Sequence, residues 1–223
     1  MNKKKYTFGY SFDKDGNKKG YKEYLSHSAM ELWRKDKSAY RRRYYDGEPS
    51  FTSPFTVFGS EVHKLVEDGK LLIDKHLPNE YHHEVKLEAS IDGVHVLGYL
   101  DMLHKDTLSV TDIKTSINPW TSFMVYKLDQ LPLYQLLIKE NYNKKDRTAR
   151  VAWLETCWVT DEVHTQDVKG FTLEVQRPTQ HLELTGVQKV IPRKIEGWEL
   201  TSMREKIVDV AEQIHKDFTN NHK

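Results

Sequence analysis

Residues 84–115 constrain the fold most strongly, because their polar and apolar side chains alternate with the period of two that β-strands have. The alternation over 84–91 is followed by Asp92-Gly93, a pair that favours the tight turn of a β-hairpin. Residues 94–103 and 108–115 have the same character and are separated by a polar turn. The stretch therefore predicts three antiparallel strands in a meander.

Helical patterns lie on both sides of this meander. Ser28 and Glu31 have the spacing of a capping box and predict a helix that ends near Tyr45. The other predicted elements are a helix over 58–75, a helix over 122–140 that Pro132 starts or interrupts, a central strand over 150–159, an outer strand over 170–176, an irregular segment over 178–192, and a helix from Ser202 to Phe218. This order predicts an α/β or α+β domain with a mixed central sheet flanked by helices.

The length of 223 residues suits one domain built on a single core. We divide it into a basic N-terminal arm (1–24), a central core (25–180) and a C-terminal helical extension (181–223). No apolar run approaches the roughly 20 residues that span a bilayer, and the N-terminus lacks the apolar segment of a signal peptide, so we expect a cytoplasmic protein without a membrane partner. Cys157 is the only cysteine, which excludes an internal disulfide and a four-cysteine metal site.

Positive charge is concentrated at the N-terminal end of the chain. Residues 1–50 contain 13 Lys or Arg against 7 Asp or Glu, and 10 of the 25 aromatic residues, although the net charge of the whole chain is only +1. Basic and aromatic residues in one stretch suit a surface that binds phosphates and stacks on bases. A solvated basic arm with core tyrosines explains the same composition, and charge alone favours this second interpretation.

Two carboxylates and a lysine are predicted to converge at the edge of the meander. Asp112 and Lys114 are two residues apart on one strand and therefore project to the same face, and the preceding turn brings Asp101 beside them. Neighbouring carboxylates raise one another's pKa unless a cation is present, and a hard divalent metal prefers oxygen ligands. Taken singly, each of these residues is far more often a surface carboxylate, an exposed strand residue or a salt-bridge partner than a catalytic group.

The order of four short motifs is more specific than any one of them. The chain contains Gly59-x-x-x-His63, Gly98-x-x-Asp101, Asp112-x-Lys114 and Gln130-x-x-x-Tyr134. This order resembles the PD-(D/E)XK nuclease superfamily, and in particular its RecB-type exonuclease branch. The resemblance covers about residues 25–135, where Leu25-Ser26-His27-Ser28 and Tyr44-Tyr45-Asp46-Gly47 look like the N-terminal helix signature of that branch. It implies a restriction-endonuclease-like core.

The resemblance implies a role for each matching residue. Asp101, Asp112 and Lys114 would be catalytic, and a Mg²⁺ or Mn²⁺ ion would be bound by His63, Asp101, Asp112 and the carbonyl oxygen of Ile113. Gln130 and Tyr134 would contact DNA near the active site. We add Ser28 from the N-terminal signature and the basic residues Arg41, Arg42 and Arg43 as candidate nucleic-acid contacts.

The implied function is a metal-dependent DNA nuclease, an exonuclease acting in DNA recombination, repair or phage DNA processing, with a recombination or replication protein as a potential partner. The alternatives are an inactive or structure-specific nucleic-acid-binding protein or endonuclease on the same fold, and an interaction domain without a nucleic-acid role. Many relatives hold an iron–sulfur cluster with four cysteines, whereas this chain has one, so no cluster is expected. The chain has no Walker A motif, so no ATP site is expected either.

The sequence also predicts the environments of Glu84, Trp153 and Trp158. Glu84 begins the meander and could reach the metal face, but a solvent-facing carboxylate is the more common role for such a residue. Trp153 and Trp158 lie in the predicted central strand, and we expect both in the core rather than on a stacking surface.

Overall fold

The computed structural model describes residues 5–50, 52–73, 80–143, 147–160, 165–168, 171–174 and 180–222. The elements in chain order are β1 (Tyr10–Phe12), β2 (Lys18–Tyr21), α1 (His27–Lys35), α2 (Lys37–Arg41), a π-helical turn (Arg42–Asp46), α3 (Pro54–Glu67), β3 (Tyr81–Ile91), β4 (Val94–His104), β5 (Val110–Ser116), α4 (Ser122–Lys127), α5 (Gln130–Tyr142), β6 (Thr148–Thr160), β7 (Thr165–Val168), β8 (Phe171–Glu174), β9 (Gln180–Lys194) and α6 (Gly197–Asn221).

A mixed five-stranded sheet forms the centre of the fold, in the order β3-β4-β5-β6-β9. The first three strands are antiparallel neighbours, as the alternation of residues 84–115 predicts. β5 and β6 are parallel, and the connection between them contains α4 and α5, because parallel strands need a long crossover. β9 returns antiparallel to β6 and forms the other edge. The predicted mixed sheet with flanking helices is confirmed.

Hydrophobic side chains cover both faces of this sheet. On one face, the larger cluster joins α1, α5 and α6 to the strands through residues such as Leu100, Leu137 and Ile207. On the other face, Val62 and Val66 of α3 pack against Ile113 and Leu154. Consecutive strand residues point to opposite faces, so the sheet presents one set of side chains to α5 and another to α3.

The alternation of β3 and β4 reverses at one position. The register passes from His83–Met102 directly to Val85–Leu100, and Glu84 between them has a φ of 49°. Met102 accordingly packs in the cluster beneath α3, whereas Leu100 packs in the cluster beneath α5. Left-handed backbone costs a non-glycine residue about 1 kcal/mol. At Glu84 and Asp101, the faces to which alternate side chains of β3 and β4 point are therefore exchanged.

Several predicted element boundaries are wrong, each for a local reason. The first helix is capped by the side chain of Ser26, which accepts from the backbone N–H of Ala29, rather than by Ser28. Asp36 interrupts this helix and caps α2. The second helix begins at Pro54 after the Ser53 cap, one turn earlier than predicted, and ends at Glu67; part of its predicted end lies outside the described residues.

The C-terminal third differs most from the prediction. The segment predicted as irregular over 178–192 contains β9, a 15-residue strand of the central sheet. The predicted outer strand over 170–176 corresponds to β8, which pairs only with β7 in a separate two-stranded sheet within the described residues. α6 begins at Gly197 with a capping box formed by Glu196 and Glu199, rather than at Ser202.

Pro132 does not break the helix in which it lies. The predicted helix over 122–140 is divided into α4 and α5 near Leu128, and Pro132 is the third residue of α5. The first N–H groups of a helix have no intrahelical acceptor, so proline costs nothing there. Gln130 and Tyr134 therefore share one regular helix.

Candidate active site

Three side chains from three elements converge at the point where β3 and β4 switch faces. His63 Nδ1 of α3 lies 3.6 Å from Asp101 Oδ1 and 3.9 Å from Glu84 Oε1. One nitrogen or oxygen atom from each of the three residues lies within 4.8 Å of the others. One imidazole nitrogen and two carboxylates at this spacing form a set of ligands that suits a divalent cation.

Gly59 of α3 faces β5, and the gap there leaves room for little more than a methyl group. A Cβ atom at Gly59 would lie 3.4 Å from Thr115 Oγ1 of β5. His63 is one helical turn further on and faces the same side as Gly59. The Gly-x-x-x-His spacing therefore places the imidazole over the edge of the sheet, beside Asp101.

Asp101 is held by the neighbouring strand and is largely buried. Its Oδ2 atom accepts a 2.7 Å hydrogen bond from the backbone N–H of Ile113. Burial, together with the nearby charge of Asp112, raises the pKa of Asp101 to about 6, although His63 and the hydrogen bond oppose this shift. An ionised Asp101 is thus costly in the metal-free protein, and a bound cation would remove that cost.

Asp112 is completely buried beside Lys114. Oδ2 of Asp112 lies 2.8 Å from Nζ of Lys114, but neither carboxylate oxygen accepts a well-aligned hydrogen bond from any described residue. Buried carboxylates usually fill their accepting capacity, because an unfilled lone pair costs free energy. Oδ1 in particular, which has neither a hydrogen bond nor an ion pair among the described residues, fits a site for a divalent cation next to Asp101.

A chain of polar contacts continues from Lys114 along α5. Nζ of Lys114 donates to Oε1 of Gln130 at 3.2 Å, and the Gln130 amide in turn donates to the hydroxyl oxygen of Tyr134. Burial, and the charges of Asp112 and Asp101, raise the pKa of Tyr134, so its hydroxyl stays protonated. The predicted lysine and the predicted Gln-x-x-x-Tyr element therefore form one connected arrangement.

A pocket of about 520 Å³ opens beside this arrangement. Its walls include four residues that the sequence singled out as nucleic-acid contacts, namely Ser28, Arg43, Gln130 and Tyr134. Arg43 also lies over the ring of Tyr44, 5.2 Å from its centroid. The pocket thus joins the N-terminal helices to α5 next to Lys114.

Lys22 lines the same pocket and was not predicted. Only 3% of it is exposed, its Nζ donates to the carbonyl oxygen of Tyr24 at 2.8 Å, and it lies over the Tyr24 ring. Burial, and the positive charge of Arg43, lower the pKa of Lys22 to about 7. One lysine in a basic segment carries no sequence signal of burial, so only the tertiary structure reveals it.

The three consecutive arginines have different surroundings. Arg41 forms an ion pair with Asp217 of α6, with 3.0 Å between Nε and Oδ2. Arg42 Nε lies 3.4 Å from Glu48 Oε2, on the surface. Of the three, Arg43 is the one that lines the pocket, so the structure separates it from Arg41 and Arg42 as a candidate for binding phosphate.

The two tryptophans of β6 also differ. Trp153 is buried, and its Nε1 donates to the Ser116 hydroxyl oxygen at 3.0 Å, as its predicted core location requires. Trp158 is 41% exposed, so the prediction that it is a core residue is wrong. Glu84 is exposed as predicted, but its carboxylate nevertheless belongs to the group of His63 and Asp101.

Comparisons with known proteins concern the fold and the family of the chain. A crystal structure of a candidate exonuclease from Eubacterium rectale is similar over 87% of this chain and 82% of its own, at 11% identity and a TM-score of 0.52. A phage-related exonuclease from Haemophilus somnus matches over 97% and 92%, at 13% identity and a TM-score of 0.49. The first of these similarities shows a shared fold alone. No curated protein matches the chain.

The described helices include none that is long and apolar enough to cross a membrane. A family model matches residues 69–223, a range that contains Glu84, Asp101, Asp112, Lys114 and the Gln130–Tyr134 element, though not His63. That match covers more than two thirds of the chain, so the chain belongs to the PD-(D/E)XK nuclease superfamily.

Proposed function

We propose that this protein is a metal-dependent DNA nuclease that hydrolyses phosphodiester bonds, and that it is an exonuclease of the RecB-type branch. One observation carries the proposal. The buried carboxylate of Asp112 has oxygens without hydrogen bonds next to Asp101, whose pKa is raised, and next to the ammonium group of Lys114. Such a group of charges suits a divalent cation and a phosphate better than it suits a structural role.

The residues that would hold the cation are His63, Glu84, Asp101, Asp112 and the carbonyl oxygen of Ile113. Mg²⁺ and Mn²⁺ prefer oxygen ligands, and imidazole suits Mn²⁺ better than it suits Mg²⁺. When bound, the cation would stabilise negative charge that develops on the attacked phosphate and lower the pKa of water. The oxygen-rich, cysteine-free group of ligands fits this role.

The protein's own residues have separate tasks in this proposal. Lys114 stabilises charge on the phosphate, and Gln130, which accepts from Nζ of Lys114, keeps that amine directed toward Asp112. Arg43 and Lys22 offer positive charge in the adjoining pocket, where Ser28 adds a hydroxyl group. We assign these residues to the DNA backbone, and a phosphate beside Lys22 would offset the cost of its burial.

The exonuclease assignment rests on the resemblance of the N-terminal signature and motif order to the RecB-type branch. DNA recombination, repair and phage DNA processing are the settings that this branch suggests, and a recombination or replication protein would be a natural partner there. A cytoplasmic location is the corresponding proposal. A binding protein with an inactive site is less well supported, because Asp101, Asp112 and Lys114 are all in place.

The decisive experiment compares linear and closed circular DNA in Mg²⁺, in Mn²⁺ and in EDTA. We expect cleavage of the linear DNA that requires metal and is lost in Asp112→Asn, which keeps the shape of the side chain but not its charge. Cleavage of the circle would favour an endonuclease. Full activity in EDTA, or equal activity of Asp112→Asn purified in the same way, would contradict the metal mechanism.

A further inference from the structure

Two aromatic side chains form an exposed pair outside the site described above. Phe55 of α3 is 42% exposed and Trp158 of β6 is 41% exposed. Their ring centroids are 5.5 Å apart, and the rings meet edge to face at 78°. Both rings keep a large surface in contact with water, although the hydrophobic effect favours burying them.

α3 links this pair directly to the candidate metal ligands. Phe55, Gly59 and His63 are spaced by four residues and lie along one side of the helix. At 1.5 Å per residue, Phe55 is about 12 Å along the helix from His63. Gly59, between them, faces Thr115 of β5, so this side of α3 runs along the sheet from the candidate metal ligands to the aromatic pair.

β6 also connects the candidate active site with the aromatic pair. Trp153 is paired in register with Lys114 on β5, and Trp158 is five residues further on, beyond the last paired residue of β5. At about 3.3 Å per residue, Trp158 is about 16 Å along the strand from the level of Lys114. The helix and the strand therefore place the two rings together, about 12 Å along α3 from His63 and about 16 Å along β6 from the level of Lys114.

We propose that Phe55 and Trp158 form a stacking platform for a base of single-stranded DNA that extends from the cleavage site. This inference rests on the proposed function. A distance of about 12 Å corresponds to three or four stacked nucleotides at 3.4 Å each. Every base has an aromatic face, so such a platform holds a strand without selecting its sequence.

A nucleobase suits this surface better than a protein partner does. Stable protein interfaces bury on the order of 1,000 Å² or more, whereas the platform comprises two side chains in the part of the chain that the structure describes. The ring of Trp158 with the edge of Phe55 against it matches the area of one base. Because His63 and Phe55 lie on one side of α3, a DNA strand in the active site would reach the two rings by running along that helix.

Binding to a fluorescent oligothymidylate in EDTA tests the platform without cleavage. We expect Trp158→Leu and Phe55→Leu, which keep an apolar side chain but remove the ring, to weaken binding by about tenfold, the scale for losing one base stack. Trp198→Leu is the matched control, because Trp198 is 62% exposed on α6 and lies outside the platform. It should bind as the wild type does.

An abasic scan then asks whether the rings act on one base. Each oligonucleotide lacks a base at one position relative to the cleavage site. In the wild type, one position about three or four nucleotides away should weaken binding as much as Trp158→Leu does. In Trp158→Leu, the same abasic position should have no further effect, because the interaction is already absent.

The outcomes separate the platform from the nuclease proposal. If the wild type cleaves DNA with metal and both leucine variants bind DNA with wild-type affinity, the platform is wrong. The nuclease assignment then stands, and a protein contact becomes the explanation for the exposed rings. If each leucine substitution weakens binding by the same factor on every abasic oligonucleotide, its effect does not depend on one base. The single-base platform is then also overturned. If the wild type neither binds nor cleaves DNA, the proposed function fails and the platform fails with it.

Discussion

Nζ of Lys114 lies 2.8 Å from Oδ2 of Asp112 and donates at the same time to Gln130. The lysine is thereby fixed between a buried carboxylate and the helix that lines the pocket. Its charge would be used mainly as the attacked phosphate becomes more negative, so its loss should affect the chemical step more than binding.

Lys114→Ala should therefore keep most of the DNA affinity and lose about a hundredfold or more in single-turnover cleavage. Lys114→Arg should rescue poorly, because the guanidinium group has a different geometry. Lys139→Ala, on the exposed side of α5, is the control. Wild-type cleavage by Lys114→Ala would remove the lysine from the mechanism, and with it most of the case for a nuclease.

Glu84 combines a strained backbone with a place among the candidate metal ligands. Its φ of 49° is unfavourable for a side chain, whereas glycine adopts it freely. Glu84→Gly removes the carboxylate and this strain together, and Glu84→Ala removes only the carboxylate. Both variants should need several-fold more metal for half-maximal cleavage, and urea unfolding in EDTA should show Glu84→Ala less stable than Glu84→Gly by about 1 kcal/mol. An unchanged metal requirement would show that Glu84 is not a ligand.

The raised pKa of Asp101 predicts a pH-dependent stability in EDTA. A carboxyl group with a folded pKa of about 6 favours the folded state when it is protonated. Its stabilising effect is complete below the unfolded value near 4 and is lost as the pH rises through 6. Asp101→Asn keeps an acceptor for the Ile113 N–H, so it should exceed the wild type in stability by about 3 kcal/mol at pH 7 and match it below pH 4.

Denaturant unfolding between pH 4 and pH 7 measures this difference. Asp15→Asn, at an exposed turn, is the control and should follow the wild type throughout. A constant difference between Asp101→Asn and the wild type at every pH would mean that the pKa of Asp101 is not raised in the folded protein.

Gly98 is required because α5 crosses β4 at that residue. A Cβ atom there would lie 2.7 Å from Cδ1 of Leu137 and 3.3 Å from Cε1 of Tyr134. Gly98→Ala should destabilise the fold by about 1–3 kcal/mol and lower cleavage as well, because Tyr134 moves with the helix. Gly20→Ala meets no atom within 4 Å and should leave both thermal unfolding and activity near wild type. Normal stability of Gly98→Ala would contradict the close packing of α5.

The antiparallel part of the central sheet, with the strand that carries Asp112 and Lys114, was predictable because its signals are local. The alternation and the Asp92-Gly93 turn specify the β3–β4 hairpin within a few residues, and the next turn pairs β4 with β5 and so places Asp101 beside Asp112. The long strand β9 was missed because five of its residues, 185–189, are exposed and lack an apolar alternation. Its strand conformation depends on pairing with β6, a partner about 30 residues away.

The incomplete prediction of the site has the same cause. The carboxylate of Glu84 reaches His63 because the backbone of β3 reverses its alternation there, and a regular strand pattern gives no sign of that reversal. Lys22 and Arg43 meet only when the N-terminal hairpin packs against the first helices. Such contacts join residues distant in sequence, so a pattern based on neighbouring residues does not contain them.

The ion pair between Arg41 and Asp217 has a consequence for biosynthesis. Tyr45 also donates to Asp217, and Trp33 donates to Gln213, so the helices that carry Arg43 are anchored by α6. A ribosome makes those helices before it makes α6. The wall of the pocket next to the candidate active site therefore cannot reach its final packing on a nascent chain until α6 has emerged from the ribosome.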